Sequence, residues 1–112
     1  LSYEELKANA AAGAYGEVEI GGPMDVKTAC DAESGAIKGI TSPVVGNANC
    51  LIFPDIEAGN TFYKTITLFG GATVAGMLVG TTAPVVVTSR ADTADSKFYS
   101  LATACLKAIN KQ

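Results

Sequence analysis

Residues that can bind an anion are concentrated where a run of valines ends and a helical pattern begins. Thr88, Ser89 and Arg90 follow that run directly. The N-terminus of a helix presents unpaired backbone N–H groups and the positive end of a dipole, which together favour an anion. Arg90 can hold a phosphate through two hydrogen bonds, and Ser89 can donate another. The spacing indicates an anion site, but it also fits a surface ion pair of Arg90 with Asp92 or Asp95.

A second polar group follows the apolar run that ends at Pro54. Asp55 and Glu57 fall in the first turn of a predicted helix, where acidic side chains interact favourably with the dipole, so capping accounts for both. Asn60 and Lys64 are spaced to share one face of that helix. They could reach polar groups of a ligand, or they could simply be solvated.

Composition restricts the chemistry that these residues can perform. The chain has 112 residues, 48% of them apolar and 17% charged, with a net charge of −3. This size fits one domain or a large piece of one, and no basic patch suggests a nucleic-acid partner. Histidine is absent, which excludes His-assisted nucleophiles, His-ligated metals and imidazole bases. The remaining candidates are carboxylates, hydroxyls, Lys, Arg and groups of the substrate itself.

The cysteines do not form a metal or redox motif. Cys30, Cys50 and Cys105 are odd in number and far apart, with no Cys-x-x-Cys pair. They are interpreted as buried free thiols in a reducing compartment. No metal site is expected.

Helical and strand patterns alternate along the chain. Helices are predicted over residues 3–14, 25–37, 57–69 and 93–110, the first with Ser2 as N-cap and Glu5 completing a capping box. Apolar or alternating runs predict strands over residues 17–20, 50–53, 73–79 and 84–88, the last three buried. The fold class that follows is α/β, a largely parallel sheet with flanking helices. Ligands of such sheets bind where strands lead into helix N-termini.

The beginning of the chain and its longest apolar stretch bear on location. The sequence starts with Leu1 and enters a helical pattern directly, without a signal-peptide pattern, and is interpreted as part of a longer protein. The apolar stretch 75–87 is interrupted by Gly80 and Pro84 and is too short to span a bilayer. A cytoplasmic chain without a membrane partner is expected.

Three stretches resemble the phosphate acetyl/butyryl transferase family. They are residues 41–49, residues 53–64, and Pro84 together with residues 88–92. The most specific is the pattern Pro-Asp-x-x-x-Gly-Asn-x-x-Tyr-Lys from Pro54 to Lys64. The order Ser-Arg-Ala-Asp-Thr-Ala from Ser89 is more similar to the butyryl branch than to the acetyl branch.

The resemblance implies an enzyme that moves a short, butyryl-like acyl group between coenzyme A and inorganic phosphate. Coenzyme A, as acyl-CoA, and an acyl phosphate would be substrates, and no tightly bound cofactor or metal is implied. The implied fold is similar to that of isocitrate and isopropylmalate dehydrogenases, with two α/β domains and a homodimer. Residues 1–88 would form part of the second domain and residues 89–112 a helix returning to the first. The N-terminal domain would be missing, leaving the fragment inactive.

The resemblance also implies roles for particular residues. Ser89 and Arg90 would bind the phosphate of the acyl phosphate and stabilise charge at the reacting centre, next to substrate-binding positions at Thr88, Asn60 and Lys64. The thiol of coenzyme A would attack the acyl carbonyl directly, and it must lose its proton to do so. The aspartate of acetyl-branch enzymes aligns with Ser96 here, which leaves its neighbour Asp95 as the candidate base.

A different class of protein shares this resemblance. Related domains fused to malic enzymes act as regulatory acetyl-CoA-binding modules without catalysis. The presence of Ser89 and Arg90 favours the enzyme.

Overall fold

Five α-helices account for the regular structure of residues 2–110, the part of the chain that the computed structural model describes. They are α1 (Tyr3–Ala11), α2 (Val26–Cys30), α3 (Ala32–Lys38), α4 (Ile56–Leu68) and α5 (Ala94–Ile109). The chain divides into two compact units, one extending to Ile52 and the other beginning at Phe53. None of the helices described is both long and apolar enough to cross a membrane.

Every one of these helices begins at a side chain that caps its first turn. A capping side chain satisfies a backbone N–H that has no partner within the helix. The predicted capping box of α1 is confirmed, since Glu5 N–H donates to Ser2 Oγ and Ser2 N–H donates to Glu5 Oε2. The other caps, in chain order, are Asp25, Asp31, Asp55 and Thr93.

The single helix predicted over residues 25–37 is wrong, because the structure has two helices there. Asp31 lies between α2 and α3 with extended backbone angles of φ −132° and ψ 112°. Its carboxylate accepts the N–H of Ser34 at 3.1 Å. A residue that caps a new helix cannot continue the previous one, so the side chain of Asp31 explains the break.

The loop of residues 42–49 is anchored within the first unit. Gly46 N–H donates to the Thr28 carbonyl at 3.2 Å, and Ala48 N–H donates to the Ala29 carbonyl at 3.1 Å. Gly46 has φ +72°, and a Cβ there would lie 2.7 Å from the Cβ of Ala32. Both the left-handed backbone and the close approach require glycine at this position.

The predicted parallel sheet is not confirmed. Within residues 2–110 the one β-bridge is antiparallel and joins Leu78 to Val85, with Leu78 N–H donating to the Val85 carbonyl at 2.9 Å. The turn from Gly80 to Ala83 links the two segments. Such a turn permits antiparallel pairing, whereas parallel neighbours need a crossover of about a dozen residues. The predicted burial of these strands is also wrong at Val79 and Val87, which are largely exposed.

Helix α5 confirms the prediction for residues 93–110 but presents a different face to its unit. Phe98, Leu101 and Ile109 are spaced as an apolar stripe along α5, and all three are exposed. The side chains that are buried are Ser96 and Ser100, at 6% and 3% exposure. The predicted burial of the cysteines is likewise wrong, since the structure exposes all three as free thiols, Cys30, Cys50 and Cys105.

One ion pair organises the start of α2. Asp25 accepts the backbone N–H and the hydroxyl of Thr28 and also the ammonium of Lys38. The hydrogen bond from Lys38, followed by those from Thr28, lowers the pKa of Asp25 well below its usual range. The ionised carboxylate is therefore the form that the first unit stabilises.

This pKa predicts a loss of stability in acid. The pKa of Asp25 is lower in the folded chain than the value of about 3.9 in an unfolded one, so its contribution is present above that value and is lost as the pH falls further. Urea unfolding at a series of pH values should show this decline, and Asp25→Asn should reduce it. Asp31→Asn, which changes a capping carboxylate that has no lysine partner, is the control. An unchanged acid dependence in Asp25→Asn would contradict the role of the pair.

Two helical glycines should respond in opposite ways to alanine. A Cβ at Gly59 would lie 3.7 Å from Phe53, an ordinary contact, whereas one at Gly35 would lie 2.1 Å from Val45 Cγ1. Alanine is favoured over glycine in a helix by about 1 kcal/mol, but overpacking costs about 1–3 kcal/mol. Denaturant unfolding should therefore show Gly59→Ala more stable and Gly35→Ala less stable than the parent. Equal effects of the two substitutions would contradict the packing around Gly35.

Candidate functional site

The second unit contains a cavity of about 460 Å³. Its volume is within the range of small-molecule sites. Four residues that the sequence singled out line it together, Asn60 and Lys64 from α4 and Thr88 and Ser89 from the segment before α5. The remaining lining residues are Tyr63, Val74, Gly76, Val87, Asp92 and Ser100.

Helix α4 supplies one wall of the cavity. Its N-terminus is set by Asp55, whose carboxylate accepts the N–H of Ala58 at 2.7 Å, so the capping interpretation of Asp55 is confirmed. Asn60, Tyr63 and Lys64 then fall at i, i+3 and i+4, which places them on one face. That face lines the cavity.

Asp92 connects α4 to the segment that carries Ser89. Its Oδ1 accepts the hydroxyl of Tyr63 at 2.8 Å, and its Oδ2 accepts the N–H of Ser89 at 2.8 Å. The N–H of Asp92 donates in turn to the Ser89 carbonyl at 3.1 Å. Residues 89–92 are thereby closed into a turn by their own backbone and by the carboxylate, and the turn is fastened to the cavity face of α4.

These bonds shift the pKa values of both partners. The hydrogen bond from Tyr63, followed by that from the Ser89 amide, lowers the pKa of Asp92, and the nearby charges of Lys64 and Lys97 add to this. The hydrogen bond to Asp92 and burial raise the pKa of Tyr63. Asp92 therefore remains ionised and Tyr63 remains a neutral donor at neutral pH. A carboxylate whose pKa is lowered is a poor base, so Asp92 serves as an acceptor that fixes position.

Neither Lys64 nor Arg90 forms a salt bridge within the described residues. Lys64 Nζ lies 4.4 Å from the centroid of the Tyr63 ring. Across residues 2–110 the one ion pair joins Lys38 to Asp25, so neither Lys64 nor Arg90 is neutralised by a carboxylate. The alternative in which Arg90 pairs with a neighbouring aspartate is therefore wrong in this structure. Arg90 is exposed and lies outside the cavity lining.

The candidate base and its neighbour lie in the first turn of α5. Asp95 is exposed and does not line the cavity. Ser96 is buried, and its N–H donates to Oγ1 of the capping Thr93 at 3.2 Å. The structure thus gives Ser96 a role at the helix start, while the role of Asp95 as a base stays a prediction.

Ser100 joins α5 to the opposite side of the cavity. Its Oγ accepts the N–H of Gly76 at 2.9 Å and donates to the Ser96 carbonyl at 2.7 Å. Both hydrogen bonds are shielded, since Ser100 is only 3% exposed. The segment that contains Gly76 is thereby held against the helix.

Sequence reasoning missed the two residues that join the walls, Tyr63 and Asp92. Both lie within the stretches that resemble the family, but neither carries a predicted role there, and Asp92 is otherwise expected only as a surface partner of Arg90. The available signal was positional, because Tyr63 shares the helix face of Asn60 and Asp92 stands where its side chain can close a turn on Ser89. Within the described residues, no three carboxylate or thiol groups converge as a metal site.

Comparison with known sequences matches this chain to a protein family. Residues 8–105 match the family described as phosphate acetyl/butaryl transferase, which covers most of the chain. The chain belongs to that family. The resemblance drawn from residues 41–49, 53–64 and 84–92 is confirmed.

Relatives from both branches of the family are similar to this chain. It is 46% identical to the phosphate butyryltransferase of Clostridium beijerinckii over 93 residues, which are 83% of this chain and 31% of the relative. It is 43% identical to the phosphate acetyltransferase of Rhizobium meliloti, over 81% of this chain and 29% of the relative. The chain thus spans about a third of the length of these relatives.

A solved structure matches the fold. The crystal structure of a branched-chain phosphotransacylase from Enterococcus faecalis V583 superimposes with a TM-score of 0.70 at 45% identity. The match covers 78% of this chain and 33% of the phosphotransacylase chain. Most of this chain is therefore similar in fold to about a third of that phosphotransacylase.

The contact between Ser100 and Gly76 can be tested against a matched residue. Ser100→Ala removes a hydroxyl that is 3% exposed together with its hydrogen bonds to Gly76 and Ser96, each worth about 0.5–1.5 kcal/mol, so the free energy of unfolding should fall by about 1–3 kcal/mol. Thr103→Ala is the control, since the Thr103 hydroxyl also bonds the carbonyl one turn back, but at an exposed position. Its effect should stay within about 0.5 kcal/mol. Equal losses in the two variants would contradict the structural role of Ser100.

Proposed function

We propose that this chain carries the phosphate-binding part of an enzyme that moves a short, butyryl-like acyl group between coenzyme A and inorganic phosphate. The observation that carries the proposal is the single cavity lined by Asn60, Lys64, Thr88 and Ser89. These residues come from two separate segments, and both segments belong to the patterns that mark the family. Similarity to phosphate butyryltransferases and phosphate acetyltransferases supports the same reaction class.

The proposed chemistry is direct acyl transfer between two bound substrates. The sulfur of coenzyme A forms a bond to the carbonyl carbon of the acyl phosphate, and the bond from that carbon to the phosphate oxygen breaks. Inorganic phosphate leaves with the electron pair, and in the opposite direction phosphate attacks the thioester. Arg90 and Lys64 would stabilise the charge that moves onto the phosphate oxygens, with hydrogen bonds from Ser89 and Thr88.

A base is needed because the thiol must become a thiolate before it attacks. Asp92 does not suit this role, since both of its oxygens accept hydrogen bonds and its pKa is lowered. We assign the role to Asp95. Its exposed position at the start of α5 leaves its oxygens free to receive a proton.

The proposed enzyme extends beyond the residues described here. Residues 1–88 would contribute to the second of two α/β domains, and residues 89–112 would return to the first. The parallel sheet, the likeness to isocitrate and isopropylmalate dehydrogenases, a homodimer and a cytoplasmic location belong to the same proposal. Its support is the match to one third of a phosphotransacylase chain at 45% identity.

The reaction can be tested in the full-length protein that contains this chain. Butyryl-CoA should release free coenzyme A, measured as free thiol, only when inorganic phosphate is present, and butyryl phosphate should form in equal amount. Coenzyme A is a substrate in this proposal, and no bound cofactor is required. Acyl-CoA binding without turnover would favour the regulatory acetyl-CoA-binding alternative, and no turnover with any short acyl-CoA would refute the enzyme.

Arg90 should determine the use of phosphate. Arg90→Ala removes a charge-assisted hydrogen-bonding partner worth about 1.5–3 kcal/mol, which corresponds to a rise in the phosphate KM of about 10- to 100-fold. Arg90→Lys keeps the charge but lacks the planar guanidinium, so its phosphate KM should lie between those of the parent and Arg90→Ala. The KM for butyryl-CoA serves as the internal control and should change little. An unchanged phosphate KM in Arg90→Ala would remove this residue from the site.

A further inference from the structure

The carboxylate of Asp92 stands beside a cation that it does not bind. Asp92 closely follows Arg90 in the chain, and a guanidinium pairs readily with a carboxylate through two parallel hydrogen bonds. In the structure both oxygens of Asp92 are taken by other donors, the Tyr63 hydroxyl and the Ser89 amide, each at 2.8 Å. Arg90 makes no hydrogen bond or ion pair within residues 2–110.

The hydroxyl of Tyr63 is placed to maintain this arrangement. It comes from α4, on the helix face that also carries Asn60 and Lys64. The Ser89 amide alone would leave Oδ1 of Asp92 without a donor. A half-buried carboxylate oxygen without a donor attracts nearby cations. The charges of Lys64 and Lys97 already act on Asp92, and Arg90 is the cation closest to it in sequence.

We propose that Tyr63 and Asp92 are positioning residues for phosphate, because they fix the Ser89–Asp92 turn at the cavity and keep Asp92 from pairing with the cations meant for phosphate, Lys64 and Arg90. The inference rests on the proposed function in that the anion it prepares for is phosphate. It assigns a purpose to the two cavity residues that have no partner role in the acyl-transfer chemistry itself. The lowered pKa of Asp92 is consistent with a permanently ionised acceptor.

The proposal makes a rescue prediction that a merely structural role would not make. Tyr63→Phe removes one hydroxyl and frees an oxygen of Asp92 for Lys64 or Arg90. The affinity for inorganic phosphate should then fall by about fivefold to tenfold. Asp92→Asn added to Tyr63→Phe removes the negative charge but keeps an acceptor for the Ser89 amide. Lys64 and Arg90 then have no carboxylate to pair with there, and phosphate affinity should recover by at least half of the loss on a logarithmic scale.

Isothermal titration of inorganic phosphate into the full-length protein measures these affinities without requiring turnover. Tyr99→Phe is the matched control, since it removes the hydroxyl of an exposed tyrosine on α5 and should leave phosphate affinity unchanged. Two results would overturn the proposal: a Tyr63→Phe affinity within about twofold of the parent, or a double variant that binds no better than Tyr63→Phe.

The same titration separates this inference from the proposed function. If phosphate affinity falls in Tyr63→Phe and recovers in the double variant, but no coenzyme A is released, the positioning role of Tyr63 and Asp92 is supported and the acyl transfer is refuted. If coenzyme A is released but Tyr63→Phe binds phosphate as well as the parent, the acyl transfer is supported and the positioning role is refuted. A parent protein that binds no phosphate would refute the positioning role of Tyr63 and Asp92, whatever the acyl-transfer assay shows.

Discussion

Asp92 holds the second unit in the arrangement from which its cavity arises. Its two carboxylate oxygens accept donors from different places, the Tyr63 hydroxyl on α4 and the Ser89 amide in the turn before α5. Removing the Tyr63 hydroxyl would release one wall of the cavity from the other, whereas removing the Ser89 N–H would loosen only the turn. Most polar groups around the cavity depend on this link, because Asn60 and Lys64 belong to one wall and Thr88 and Ser89 to the other.

Small polar groups, more than apolar ones, determine how this chain packs locally. Among residues 2–110 the one buried apolar side chain is Ala29, at 6% exposure, whereas four hydroxyl side chains are buried: Thr28, Ser34, Ser96 and Ser100. Buried hydroxyls stabilise a fold only when they are hydrogen-bonded, and none of the described buried side chains lacks a partner. The directional geometry of these bonds, including the five helix caps, therefore gives the local structure its precision.

The sequence predicts what depends on near neighbours and fails where distant segments must meet. Helices α1, α4 and α5 were predicted closely because caps such as Ser2 and Thr93 act within one turn. The sheet was not confirmed because strand pairing depends on partners far along the chain, and the exposed face of α5 was missed because an apolar stripe does not reveal what covers it. At the site, Asn60, Lys64, Thr88 and Ser89 were found from local patterns. The hydrogen bond from Tyr63 to Asp92 joins residues that are 29 positions apart, so patterns within a single helix turn do not predict it.

The resting place of Lys64 has a consequence for how the cavity meets a ligand. Its ammonium lies over the Tyr63 ring, a contact worth about 0.5–1 kcal/mol at an exposed site. If a carboxylate were paired with Lys64, an incoming anion would have to displace it. The contact with the Tyr63 ring is weak, so the ammonium can leave it at little cost in free energy. The long, flexible stem of lysine then lets the ammonium follow the anion. The Tyr63 ring thus holds the Lys64 ammonium weakly, so that the ammonium can move to a bound anion and return to the ring when the anion leaves.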